Sequence, residues 1–136
     1  MKKQTGIWID SSKAVIMTFA EGRELIIELK SDIENKIYHH HEGNKGDFMG
    51  TRHINNEKKI AERKRQQIDH FLKTVLEEIK GADEFYVFGP AEMKTKLTKK
   101  IENGEASLRH KLKSVETADA MTTNQMVAKT KNYYNL

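Results

Sequence analysis

The stretch Asp83–Ile101, DEFYVFGPAEMKTKLTKKI, limits the folds open to this chain more than any other. Phe85, Tyr86, Val87 and Phe88 form a short apolar and aromatic run with the β preference of a buried strand. Gly89-Pro90 stops it, because proline offers no ladder donor and pre-sets φ for a first helical turn. Glu92 follows where a helix dipole favours negative charge, and Met93, Leu97 and Ile101 recur on one face. A buried strand that turns this abruptly into an amphipathic helix belongs to a layered α/β domain. Gly89-Pro90 itself reads as a structural corner, although ligands gather beyond the carboxyl ends of strands in open sheets.

The remaining elements follow from periodicity and punctuation. Thr5–Asp10, Lys13–Ala20 and Glu24–Lys30 read as strands joined by tight turns at Ser11-Ser12 and Glu21-Gly22-Arg23, which implies an antiparallel meander. Asp32–Tyr38 fits either a strand extension or a loop. Residues 39–55, HHHEGNKGDFMGTRHIN, have no apolar period and carry Gly43, Gly46 and Gly50, so a long mobile loop is expected. Asn56–Lys80 reads as the longest helix, capped at Asn55 or Asn56 and stopped by Gly81. Its core stripe is Ile60, Ile68, Phe71, Leu72, Val75, Leu76 and Ile79. After Asn103-Gly104, a last strand is centred on Leu112–Thr117, and a closing helix starts at Thr122 or Thr123. The order is β-β-β-α-β-α-β-α. Three antiparallel strands followed by alternating helices and strands predict a three-layer ribonuclease H-like α/β fold with a mixed five-stranded sheet.

A chain of 136 residues fits one domain, 1–136, with a real core. Charged residues make up 32%, the formal net charge is +4 and the pI is near 9.2, a mild bias toward polyanionic partners. The absence of cysteine excludes disulfides and thiolate chemistry. Neither a leader pattern nor a run of about 20 apolar residues is present, so a soluble cytoplasmic protein with no membrane partner is expected.

Three groups of residues could carry chemistry. The half-helix KKIAERKR, with Lys58, Lys59, Arg63, Lys64 and Arg65, either is a solvated face paired with Glu57 and Glu62 or contacts a phosphate backbone. The adjoining loop adds Lys45, Arg52 and His53, while Phe48 and His53 could stack on bases. Lys94, Lys96, Lys99 and Lys100 read as solubilising. His39, His40 and His41, with Gly43, Asn44, Gly46 and Phe48, form an exposed polar loop. Adjacent histidines on extended chain point to opposite faces, and three in a row do not share one metal. Asp10, Glu116 and Asp119 could form a two-metal nuclease site, but Asp10 before Ser11-Ser12 also suits a turn. No nucleophile elbow, P-loop or dinucleotide fingerprint is present.

The glycine-bearing loop, the ERKR helix start and the stretch GADEFYVFGPAEMKTKL together resemble the central domain of archaeal and eukaryotic class-1 peptide-chain release factors and Pelota. The chain is also similar to small bacterial proteins described as translational machinery components or host-attachment-like proteins. In the release factors the loop before the long helix bears a Gly-Gly-Gln tripeptide. The corresponding loop here, HHHEGNKGDFMG, has none, and Asn44 is not an established substitute. The resemblance therefore implies the fold and a ribosomal or RNA surface; it does not imply peptidyl-tRNA hydrolysis, and no cofactor is expected. The resulting expectation is a non-catalytic binding module contacting ribosomal RNA or tRNA, with no DNA sequence readout. A metal-dependent nuclease or phosphoesterase is one alternative. A protein-interaction module that self-assembles through the 39–55 loop is another.

Overall fold

The computed structural model describes residues 2–31, 33, 50–104 and 106–136, and for residues 50–56 only their place in a helix. The meander forms as expected: β1 (Gln4–Ile9), β2 (Lys13–Ala20) and β3 (Arg23–Lys30) pair antiparallel in that order. Asp10 builds the first turn, its Oδ1 accepting from the Ser12 N–H (2.8 Å), the Ser12 hydroxyl (2.9 Å) and the Lys13 N–H (2.9 Å). Glu21 and Gly22, at φ 53° and 75°, make the second with the handedness that matches strand twist.

The chain then continues through α1 (Gly50–Ile79), β4 (Glu84–Gly89), α2 (Met93–Glu102), α3 (Ala106–Lys111), β5 (Leu112–Thr117) and α4 (Thr123–Tyr134). The five-stranded sheet has the order β3-β2-β1-β4-β5, with β4 parallel to both β1 and β5. The sheet is mixed, as expected, and the fold is a three-layer α/β arrangement. On one face, Ile7, Ile9, Ile16, Phe85 and Val87 pack against Phe71, Leu72, Val75 and Ile79 of α1, Leu97 and Ile101 of α2, and Leu108 of α3. On the other, Trp8, Val15, Met17, Phe19, Tyr86 and Phe88 pack under Met126 of α4. Being buried on both faces is what puts β1 and β4 at the centre. Thr122 and Gln125 close a reciprocal capping box at the start of α4.

Several expectations are corrected. α1 begins at Gly50, so residues 50–55 belong to the helix, and neither Asn55 nor Asn56 caps it. A helix anchored at one end extends by one hydrogen bond per residue and needs no apolar partner for each turn. Ile60 lies outside the core, whose contribution from α1 starts at Ile68. Gly81 follows the helix without left-handed backbone, and the Ala82 N–H bonds the Ile79 carbonyl instead. Helix α3 was not expected; with Leu108 as its one buried residue, it has no period to read. Leu25 and Ile26 lie on β3, as the strand reading expects, but are exposed. No described helix is long and apolar enough to cross a membrane.

Candidate nucleic-acid interface

The corner after β4 is tighter than its sequence implies. Gly89 has φ 153°, and a Cβ there would lie 2.3 Å from the Ile9 carbonyl oxygen of the neighbouring strand. Pro90 does not open α2: the chain passes through Ala91 in left-handed backbone (φ 54°), and the helix starts at Met93 after Glu92, whose side chain makes no cap. Lys94 secures this detour. It is buried, and its ammonium donates to the Ala91 carbonyl, so it is structural rather than solubilising. Lys100 likewise ties α2 to α1 through Asp69 at 2.5 Å. Sequence spacing does not single out either lysine.

Beyond the carboxyl ends of β1 and β4 lies a crevice of about 680 Å³ lined by Asp10, Ile33, Lys64, Pro90, Glu92 and Lys96, among others. From β1 the meander leaves toward β3, and from β4 the chain leaves toward β5, so this is where the sheet order reverses. Lys64 stands four residues before Ile68, on the stripe that carries Phe71, Leu72, Val75 and Ile79. One turn past the sheet that stripe meets the crevice instead of the core, and an ammonium replaces an aliphatic chain. The residues of α1 before Lys64 run on past the strand ends for about 20 Å.

The expected cations are sorted by this geometry. Lys58, Lys59 and Lys64 are exposed on the overhanging half of α1. Arg65 is exposed but bonded to Glu62 at 2.7 Å, as the solvated-face alternative expects. Arg63 turns toward β3, where with Lys30, His70 and Phe71 it lines a groove of about 420 Å³. Arg52 and His53 lie on α1. Lys45, His39, His40, His41, Gly43, Asn44, Gly46 and Phe48 lie outside the described residues, as does most of the loop expected to self-assemble.

The carboxylates do not converge. Asp10 gives one oxygen to its turn, while Glu116 sits on the α4 side, accepting from the Tyr86 hydroxyl at 2.7 Å and lying 3.3 Å from the Lys129 ammonium. Asp119 is exposed. Among the described residues no group of three or more histidines and carboxylates could hold a metal ion.

The Tyr86–Glu116 contact has a measurable consequence. Burial, and then the bond to Glu116, push the Tyr86 phenol well above its ordinary value of 10.0, and burial, then the charge of Glu84, does the same for Tyr134. A raised folded-state value means that the stabilisation is complete below pH 10 and declines above it, because the unfolded chain loses those protons first. Urea unfolding at pH 9 and 11 should show stability falling above pH 10 by up to about 1.4 kcal/mol per pH unit for each phenol. Tyr86→Phe should reduce that slope. A slope unaffected by the substitution would show that the Tyr86 phenol does not govern it. At the acid end Glu116 has the opposite sign: the Tyr86 hydroxyl, then Lys129, hold its carboxyl below the usual 4.5, so its contribution fades as pH falls through that lower value.

The sequence matches no protein-family model and no curated protein. Solved structures similar to this chain include two archaeal ones. One is the archaeal translation termination factor aRF1, at 16% identity and a TM-score of 0.45, with 95% of this chain aligned to 34% of that one. The other is described as an archaeal protein, at 15% identity and a TM-score of 0.49, with 97% of this chain aligned to 34% of that one. The chain thus spans about a third of the length of each.

Proposed function

We propose that this chain is a non-catalytic module that binds the phosphate backbone of RNA along the overhanging half of α1. The crevice between Lys64 and Lys96 would receive one phosphate group. The observation that carries this reading is the position of Lys64: a cation continues the apolar stripe of α1 into a crevice at the reversal point of the sheet. Lys58 and Lys59 extend the positive surface outward, and Arg63 and Lys30 carry it toward β3. Asp10 and Glu92 at the crevice oppose a compact anion held there alone, which favours a long polyanion that also engages the helix. The sequence resemblance to release-factor central domains supports ribosomal RNA or tRNA as the polyanion.

The test is RNA binding measured across a salt series. Replacing Arg63, Lys64 and Arg65 by glutamine should flatten the slope of log affinity against log salt by up to about two units on single-stranded RNA and up to nearly three on duplex, the upper figures applying only if Arg65 leaves Glu62 for a phosphate. Arg65→Gln alone should do least, because Glu62 already neutralises it. No binding by the parent at low salt, or an unchanged slope in the triple variant, would make the basic half-helix a solvated face. Sedimentation of the tagged chain with ribosomes through sucrose gradients tests the ribosomal assignment separately.

A further inference from the structure

Strand β3 forms one edge of the sheet, and among the described residues no strand pairs with its outer side. Two of its apolar side chains are left exposed. Leu25, on the α1 side by alternation with Ile27 and Leu29, is 60% exposed, and Ile26, on the α4 side, is 41% exposed. The tight turn makes Ala20 and Arg23 a hydrogen-bonded pair, and the Ser31 N–H to Ser12 carbonyl bond at 2.9 Å continues the same alternation. Leu25, Ile27 and Leu29 therefore direct their backbone groups to β2, whereas Glu24, Ile26, Glu28 and Lys30 direct theirs outward. A long open edge with apolar side chains on both faces is a template for another strand.

The side chains along β3 specify which strand. We infer that β3 pairs antiparallel with β3 of a second copy about a two-fold axis at Ile27, joining two sheets into one. In that register Ile27 faces its own counterpart, Leu25 faces Leu29, and Glu24 faces Lys30 of the partner subunit on both sides of the axis. Moving the axis to Ile26 would set Glu24 against Glu28 twice, which like charge disfavours. Glu24 already lies 3.3 Å from Lys131 of its own α4 through one carboxylate oxygen, leaving the other for the partner. The opposite edge is a poorer template. β5 is shorter, its side chains Lys113 and Glu116 are held by Glu84 and Tyr86, and Val115 is only 37% exposed.

Sedimentation velocity on the full chain over a concentration series should give a reversible dimer. Lys30→Glu, which sets carboxylate against carboxylate twice, should weaken the dimer about tenfold or more, and adding Glu24→Lys should restore it. Ile26→Pro removes an outward N–H without touching the ladder to β2, and it should abolish the dimer while circular dichroism stays unchanged. The chain has no cysteine, so a single introduced thiol reports on pairing. Residues opposed at the axis in a non-hydrogen-bonded pair lie about 4.5 Å apart, within disulfide reach. Ile27→Cys should therefore crosslink two copies on oxidation, and Ile26→Cys should not. A chain that stays monomeric to about 1 mM, or a dimer indifferent to Lys30→Glu and Ile26→Pro, would overturn the inference. Crosslinking through position 26 instead of 27 would overturn the register.

Discussion

Gly89→Ala is expected to cost about 4 kcal/mol of folding stability, enough to leave much of the chain unfolded at ordinary temperature. Two effects combine at this position. The backbone at φ 153° suits glycine, and the added Cβ would fall 2.3 Å from the Ile9 carbonyl oxygen. Nor can Ile9 move aside, because β1 is held between β2 and β4 at the middle of the sheet. Gly22→Ala is the control. Gly22 also has positive φ (75°), but nothing lies within 4 Å of a Cβ there, so the cost should be only the left-handed penalty of about 1–2 kcal/mol. Urea unfolding of both variants separates steric overlap from backbone strain. Equal losses would mean that the contact with Ile9 relaxes freely and that the tightness of the corner has no energetic weight.

Trp8→Ala should be comparably damaging, at about 4 kcal/mol. Trp8 is the one tryptophan of the chain and 1% exposed, packed among Val15, Met17, Tyr86, Phe88 and Met126 where α4 meets the sheet. Removing it empties the centre of that layer. Trp8→Phe should cost far less, about 1 kcal/mol, because the indole N–H is buried with no hydrogen-bond partner among the described residues. Phenylalanine gives up packing volume but removes a buried donor that no described residue satisfies. Thermal unfolding followed by circular dichroism measures both. A phenylalanine variant as unstable as the alanine one would mean that the indole nitrogen contributes favourably after all.

Most of the fold could be read from short-range pattern. The alternation of β1 and β2, the Phe85–Phe88 run, the i, i+4 stripes of α1 and α2, and the Thr122 cap are written in residues two to four positions apart, where strand and helix geometry impose their periods. Legibility failed where an element buries little. Helix α3 sinks one residue, and the helical backbone at residues 50–55 has no apolar period to announce it. The candidate interface was legible as composition but not as arrangement. KKIAERKR reads as one basic patch, whereas the fold sends Lys64 to the crevice, Arg63 to the β3 groove and Arg65 to Glu62. The lysines of α2, which look alike in sequence, separate into a buried clamp at Lys94, an ion pair at Lys100 and a crevice residue at Lys96.

The sequence by itself determined the succession of elements and which face of each is apolar, because both depend on neighbours within a turn or a pleat. The tertiary structure alone decided what those faces meet. The Tyr134 hydroxyl bonds the Thr5 carbonyl at 2.8 Å across 129 residues, and Tyr86 bonds Glu116 across 30. Parallel pairing of β4 with β1 brings Pro90 to the same crevice as Asp10, and α1 lays Lys64 over it. Such contacts depend on strand order, which no local period encodes. It is set when the strands with two apolar faces take the middle of the sheet, leaving β3 and β5 at its edges.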